Sequence, residues 1–358
     1  MIKEESNRHF VFAGNIISQK DSILQTALTM HFPSYELNER NRTRITLIVQ
    51  EMETVHDIVF EYKELFDNSY WRIVDLTKKK PEIELHRPQY EGKRKDFVDL
   101  EWEFVLCHFS NPLLQEKLRR WANDSKQKLV ITLGYDDDMK NKNYAEKLRN
   151  RLSDSAEVIA HKNDPLAESE KKKELMEMAK YLHYFYKVCY EQKHVPTELP
   201  ENEVNKAWND IDNETLKKSN LYNVMSIPVK MQILGHDRND WNTLYALTAE
   251  EIEMLTAVEH NRWCVERLIQ GMRPCTDDER TEIKEDMIRR LNDPIYREKN
   301  PISLKKRYKI ERNAHYDLCA FSELDIDESG KHVSRYDRDL TAAIPLIVKT
   351  FNDRYYNG

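Results

Sequence analysis

Glycine is scarce in this chain: seven residues in 358, about 2% against roughly 7% in an average protein. Gly14, Gly92, Gly134, Gly235, Gly271, Gly330 and Gly358 are spaced so widely that no two share a turn. A GxGxxG turn needs clustered glycines to bring backbone against a pyrophosphate, and a Walker loop needs GxxxxGK followed by Ser or Thr. Both are excluded, and no glycine-rich dinucleotide fingerprint exists. Long apolar runs are missing too: no window approaches the roughly 18 uninterrupted apolar residues of a spanning helix. The first residues, MIKEESNRHF, lack the apolar core of a signal peptide. These absences predict neither membrane insertion nor export through a cleaved leader. Cys107, Cys189, Cys264, Cys275 and Cys319 contain no CxxC pair and read as buried free thiols. Neither charge sign dominates, with 56 basic against 63 acidic residues and a net charge of -7. A chain without a global basic field is expected to be cytoplasmic and to bind no nucleic acid.

What is present is enough apolar sequence for a sizeable core. Hydrophobic residues make up 40% of the chain and charged residues 33%, and the length supports two or three domains. Over residues 1–165, β-branched or aromatic runs (Phe10 to Ala13, Ile45 to Val49, Trp71 to Leu76, Glu103 to Cys107, Leu129 to Leu133, Val158 to Ala160) alternate with helical patterns. The helical stretches are Ser22 to Met30, Val55 to Phe66, Pro112 to Ala122 and Tyr144 to Leu152. Alternation of this kind predicts βαβ crossovers, hence an α/β, Rossmann-like, doubly wound parallel sheet. Ligands of such sheets bind at the carboxyl ends of the strands, where Gly14 and Gly134 fall. Without glycine partners, Gly14 marks a degenerate scaffold or dimerisation module before it marks a dinucleotide site. Asp136, Asp137 and Asp138 invite a Mg²⁺ reading, but a solvated loop capping the next helix is the expectation.

Residues 166–246 open with the charged run Glu168 to Glu174. Leu175, Met178, Leu182, Phe185 and Cys189 then repeat at helical spacing, among tyrosines at 181, 184, 186 and 190 that suit core or interface. This region reads as a helical connector. In the next segment Leu247-Thr248-Ala249-Glu250-Glu251-Ile252 is a helix-start signature, with Thr248 and Glu251 forming a capping box and Gly271 a left-handed terminator. On that helix Glu259, Arg262, Trp263 and Glu266 stand three or four apart and can touch. A salt-bridged face with Trp263 as core is one reading. Anion recognition by a guanidinium beside an indole is the other.

The run Glu259-His260-Asn261-Arg262-Trp263, with Glu266-Arg267 and Gly271-Met272 after it, resembles the repeat of ryanodine receptors and many bacterial proteins, the RyR domain. His315-Tyr316-Asp317-Leu318-Cys319 with Phe321 to Leu324 resembles the family's second motif, and Tyr336-Asp337-Arg338-Asp339 its third. The resemblance spans about 247–356 and implies a small, mainly α-helical RyR-like domain over 247–358. Met272 stands where the family usually has tryptophan, and an insertion over about Pro274 to Lys309 separates the first two motifs. In the connector, Trp208 and Leu216-Lys217-Lys218-Ser219-Asn220 resemble the segment preceding RyR domains in bacterial proteins that also carry a Rossmann-like domain of the potassium-uptake-regulator type. Leu221 replaces the basic residue expected next.

No GxSxG, HExxH or His-Cys zinc spacing occurs. His260 next to Glu259 could serve as a general base, but neighbours on a helix diverge by about 100° and cannot pair, so it reads as structural. His315 with Asp317 reads the same way. The expected ligand site joins the first RyR-like helix to the Tyr336 turn. Arg262, Arg267 and Arg338 would hold phosphate or carboxylate, Trp263 and Tyr336 would stack a base, and Glu259 or Asp337 would accept from hydroxyls. The competing expectation is an internal ion-pair network of the same residues. The functional expectation is a non-enzymatic sensor of a nucleotide-type small molecule, its occupancy passed on through the connector. The alternatives are a structural module making homo-oligomeric or partner contacts, and a nucleotide-processing enzyme.

Overall fold

The structure is a computed structural model that describes residues 8–32, 42–86, 97–108, 110–123, 128–134, 146–150, 152, 156–161, 165–192, 195–235, 246–327 and 330–355. The aspartates at 136–138 lie outside them. Two compact units divide the chain near residue 171, with residues 233–235 grouped with the first.

The first unit is a seven-stranded sheet in the order β4-β3-β5-β2-β1-β6-β7. Its strands are β1 Arg8–Gly14, β2 Thr43–Val49, β3 Tyr70–Asp75, β4 Glu82–His86, β5 Leu100–Leu106, β6 Lys128–Gly134 and β7 Ala156–His161. All pairings are parallel except the β3–β4 hairpin, consistent with a Rossmann-like α/β fold. Six strands fall on the six apolar runs of the sequence. β4 does not, because Glu82-Ile83-Glu84-Leu85-His86 is an edge strand whose Ile83 and Leu85 are exposed, and it carries too little apolar character to read as a buried strand.

Both sheet faces are covered, so the central strands are apolar in consecutive positions rather than alternately. Trp102 and Phe104 of β5 pack on one face against Phe66 of α3 (Lys63–Asp67), with ring centroids 4.9 and 5.8 Å apart. Val105 points to the opposite face. There it joins Val11, Ile131, Leu114 and Leu118 of α4 (Pro112–Ala122), and Leu148 of α5 (146–150). Helices α1 (Lys20–Thr29) and α2 (Met52–Glu61) complete the crossovers near β1 and β2.

The second unit is mainly helical. It takes most of α6 (Pro165–Gln192), then α7 (Glu201–Asn209), α8 (Glu214–Ile233), α9 (Ala249–Ile269), α10 (Asp277–Asn292), α11 (Pro294–Lys299), α12 (Leu304–Arg312), α13 (Arg335–Ala342) and α14 (Ile344–Tyr355). Two residue pairs, β8 (Arg273–Pro274) and β9 (Ala314–His315), form a short parallel ladder. Leu182 and Phe185 of α6, Val204 and Trp208 of α7, Val224 and Ile227 of α8 and Ile347 and Phe351 of α14 share one core. The helices of segment 166–246 are thus built into this unit, because each contributes apolar side chains to the core shared with α14. Among the described residues no helix is long and apolar enough to cross a membrane.

Candidate functional site

Helix α9 begins as its sequence requires. Glu251 N–H donates to Thr248 Oγ1 (3.2 Å) and Thr248 N–H to Glu251 Oε2 (2.8 Å). It ends in a Schellman turn: Met272 N–H donates to the Arg267 carbonyl and Gly271 N–H to that of Leu268, with Gly271 at φ +79°. That left-handed conformation is strained for any residue with a Cβ. Between these ends lie Glu259, His260, Arg262 and Glu266, all buried.

Burial of so much charge is tolerable only with full pairing. Glu259 accepts from Arg262 Nη2 (2.8 Å) and Nε (3.0 Å), from Lys230 Nζ (2.7 Å) and from Asn223 Nδ2 (2.7 Å). Arg262 Nη1 donates to Glu266 (2.7 Å), which also accepts from Ser219 Oγ (3.0 Å). Burial alone would neutralise the Glu259 carboxyl, but Arg262 and Lys230 overcome it and hold the pKa at about 2. The ion-pair network therefore exists, and Arg262 is occupied within it. Glu259 lies beneath the adjoining cavity rather than on its wall.

That cavity, about 570 Å³, opens beside the network. Trp263, Arg267, Tyr336 and Asp337 line it with Arg262, Ser219 and Asn220. Arg338 does not; it pairs with Glu253 of α9 at the surface. Lys217 pairs with Glu214 (2.9 Å), and Trp208 is a core residue beside His183.

Several wall residues escape the sequence patterns. Tyr186 and Tyr190 stack one turn apart on α6, 6.1 Å between centroids, and each lies 6.2 Å from the Tyr336 ring. Lys305 and Lys309 come from the insertion, four apart on α12. Arg335 bonds Asp327 and the Tyr336 hydroxyl. The signals available were the i,i+4 spacings of the α6 tyrosines and the α12 lysines.

His260 ties the three motif segments together. Its Nε2–H donates to the Cys319 carbonyl (2.9 Å), Nδ1 lies 3.3 Å from Asp337, and its ring stacks on Trp263 at 5.8 Å. Burial opposes its charged form, yet Cys264, Asp337 and the Cys319 side chain together keep its pKa well above the ordinary value. Cys264 Sγ is 3.4 Å from Nε2, which superficially gives a Cys-His-Asp constellation. It lacks the required chemistry: Nε2 spends its proton on a carbonyl, so it has no lone pair to accept one, and burial pushes the Cys264 thiol up.

Electrostatically the wall is cationic. Arg262, Arg267, Lys305, Lys309 and Arg335 face Asp317, Asp327 and Asp337. Arg262 is committed to Glu259 and Glu266, Lys305 to Asp317 at 2.8 Å, Arg335 to Asp327, and Asp337 to His260. Lys309, an exposed residue on the cavity rim, makes no hydrogen bond or ion pair to a described residue, and partial desolvation and the neighbouring Arg267 lower its pKa. Among the described residues no three His, Cys, Asp or Glu side chains gather as a metal site.

At the sheet of the first unit, strand order reverses between β1 and β6, and Gly14 and Gly134 are register partners at their carboxyl ends. Gly14 turns the chain at φ +93°. The turn is closed by its own side chains: Asn15 Oδ1 accepts from Ser18 N–H (3.1 Å), and Gln19 Nε2 donates to the Ala13 (2.8 Å) and Asn15 (3.2 Å) carbonyls. The Ser18 amide that a phosphate would need is already bound to Asn15.

No family model, curated protein or solved structure matches the chain.

Proposed function

We propose that the second unit is a RyR-like ligand-binding module and that the protein is a non-enzymatic sensor of an anionic, ring-bearing small molecule of the nucleotide type. One observation carries this reading: the cavity combines an unbalanced cationic wall with the aromatic side chains of Trp263 and a tyrosine trio. Its volume lies within the roughly 300–1,000 Å³ of small-molecule sites. Convergence of the three RyR-like segments on this cavity supports the same assignment. His260 contacts the second segment at Cys319 and the third at Asp337.

The binding side chains are therefore arginines, lysines and aromatics rather than glycine-loop amides. Arg262 braces the floor; Arg267, Lys305, Lys309 and Arg335 present charge. The test is thermal unfolding of the full chain against mono-, di- and cyclic nucleotides. Saturable stabilisation is expected, about 2.7 kcal/mol at a hundredfold excess over Kd. No shift across the panel, with mass rising with concentration, would favour an assembly module instead.

A further inference from the structure

We infer that the cavity contains a dedicated phosphate seat formed by Arg267 of α9, Lys309 of α12 and the Nε2–H of His315, set apart from a ring-binding face at Tyr186, Tyr190 and Tyr336. This deepens the proposed ligand-binding reading and rests on it for the identity of the whole ligand.

The seat is assembled by local structure. The Gly271 turn ends α9 immediately beyond Arg267, leaving that guanidinium over the Trp263 ring at 5.4 Å. Arg267 Nη1 donates to Gln270, while Nε is buried with no hydrogen-bond partner among the described residues. Helix α12 stops at Asn313 in the left-handed conformation, φ +52°, and the chain turns directly into β9. That turn puts His315 in register with Pro274 and its ring edge-on to Trp263 at 4.9 Å.

The imidazole of His315 is a neutral donor. Its Nδ1 accepts the Asp317 N–H at 3.3 Å, which leaves the ring proton on Nε2. Burial and the cations Lys309, Lys305 and Arg267 hold its pKa at about 3 against the opposing pull of Asp317. Among the described residues nothing accepts from Nε2. Three cations around one neutral imidazole would repel one another without a guest: Lys305 has Asp317 at 2.8 Å, Arg267 has only the longer 3.7 Å approach of a Glu266 already bound by Arg262, and Lys309 pairs with no carboxylate among the described residues.

A phosphate fits this set. Its oxygens accept simultaneously from a guanidinium, an ammonium and an imidazole N–H, each a charge-assisted bond on the phosphate side. A carboxylate has one oxygen too few to engage all three without sharing. The tyrosine trio has no such surplus cation: Arg335 there is bound to Asp327 and lies over the Tyr336 ring. It offers ring faces instead.

The experiment titrates inorganic pyrophosphate, and separately the 5′-diphosphates of the four common nucleosides, into the full chain and into Lys309→Gln and Lys306→Gln. Lys309 has no side-chain partner to lose, and Lys306 is exposed on the same helix outside the cavity. Pyrophosphate is expected to bind the wild type, and Lys309→Gln to weaken both probes by about 10- to 100-fold, with Lys306→Gln unchanged. Equal affinity of the wild type and Lys309→Gln for a bound nucleotide would overturn the seat and leave the nucleotide reading standing. Pyrophosphate binding that depends on Lys309, without binding of any nucleoside diphosphate, would retain the seat and overturn the nucleotide reading. Binding of neither probe overturns both.

Discussion

Arg262 holds Glu259 through two of its nitrogens, Nη2 at 2.8 Å and Nε at 3.0 Å, one turn apart on a helix where both side chains are buried. Lys230 approaches the same carboxylate from α8. One anion thus stabilises two buried cations, and the loss of either side is asymmetric. Glu259→Gln leaves Lys230 buried without its carboxylate and Arg262 with Glu266 alone, and is expected to destabilise the second unit by about 3–5 kcal/mol. Urea unfolding should show a lower midpoint; an unchanged midpoint would refute the assignment of Glu259 as the centre of the network.

Acid should act through the same carboxylate. Its folded pKa, about 2, lies below the ordinary 4.5, so its contribution is fully present above about 4.5 and is lost as pH falls toward 2. Unfolding temperatures measured from pH 6 to 2 should fall less steeply in Glu259→Gln than in the wild type. Parallel acid limbs would count against it.

His260 has the opposite sign. Its folded pKa is raised, so the stabilisation from Cys264, Asp337 and the Cys319 side chain is complete below about 6.5 and disappears as pH rises through the folded value. Cys264 also faces the ring, its thiol pushed up by burial against the opposing pull of His260. Substituting His260→Gln should flatten the alkaline limb of a stability profile between pH 6 and 9, and an unaltered slope would show that the imidazole is not charged.

Arg338 offers a discriminating control. It reaches Glu253 at the surface rather than the cavity, so Arg338→Ala should preserve any nucleotide-induced stabilisation within error while Tyr336→Ala reduces it. Loss of the response in Arg338→Ala would place the ligand elsewhere.

In the first unit, Gln19→Leu removes donors from two strand-end carbonyls. A cost of about 1–3 kcal/mol is expected from the unsatisfied acceptors, measurable as a lower unfolding temperature. No change would mean that water replaces the amide.

The α/β unit was legible because a sheet buried on both faces writes its strands as apolar runs: Phe10 to Ala13 and Ile45 to Val49 could scarcely be anything else. The start and end of α9 were equally legible, since Thr248, Glu251 and Gly271 act through local hydrogen bonds and φ. The cavity was only half visible. Trp263, Arg267, Tyr336 and Asp337 stood in recognisable segments, whereas Lys305 and Lys309 lay in a charged stretch that reads as a solvated helix. Their meaning depends on the left-handed stop at Asn313, which brings α12 and His315 to α9. Likewise Arg262 has the residue type of a ligand clasp as well as of a helix-face ion pair, and the burial of its partners Glu259 and Glu266 against Asn223, Lys230 and Ser219 of α8 shows it spoken for. The conformity of 166–246 to a connector pattern hid its apolar contacts with α14, because helical periodicity marks a buried face without naming its neighbour.

The two oxygens of Glu259 are shared between Asn223 and Lys230, residues two turns apart on α8. A carboxylate held at two heights along a neighbouring helix acts as a ratchet pawl. Sliding α8 past α9 by one turn, about 5.4 Å, would strip both contacts at once and strand Lys230 in the interior. These helices are therefore geared together, and any movement that accompanies filling of the cavity falls to its other walls, α12 and the segment leading into α13.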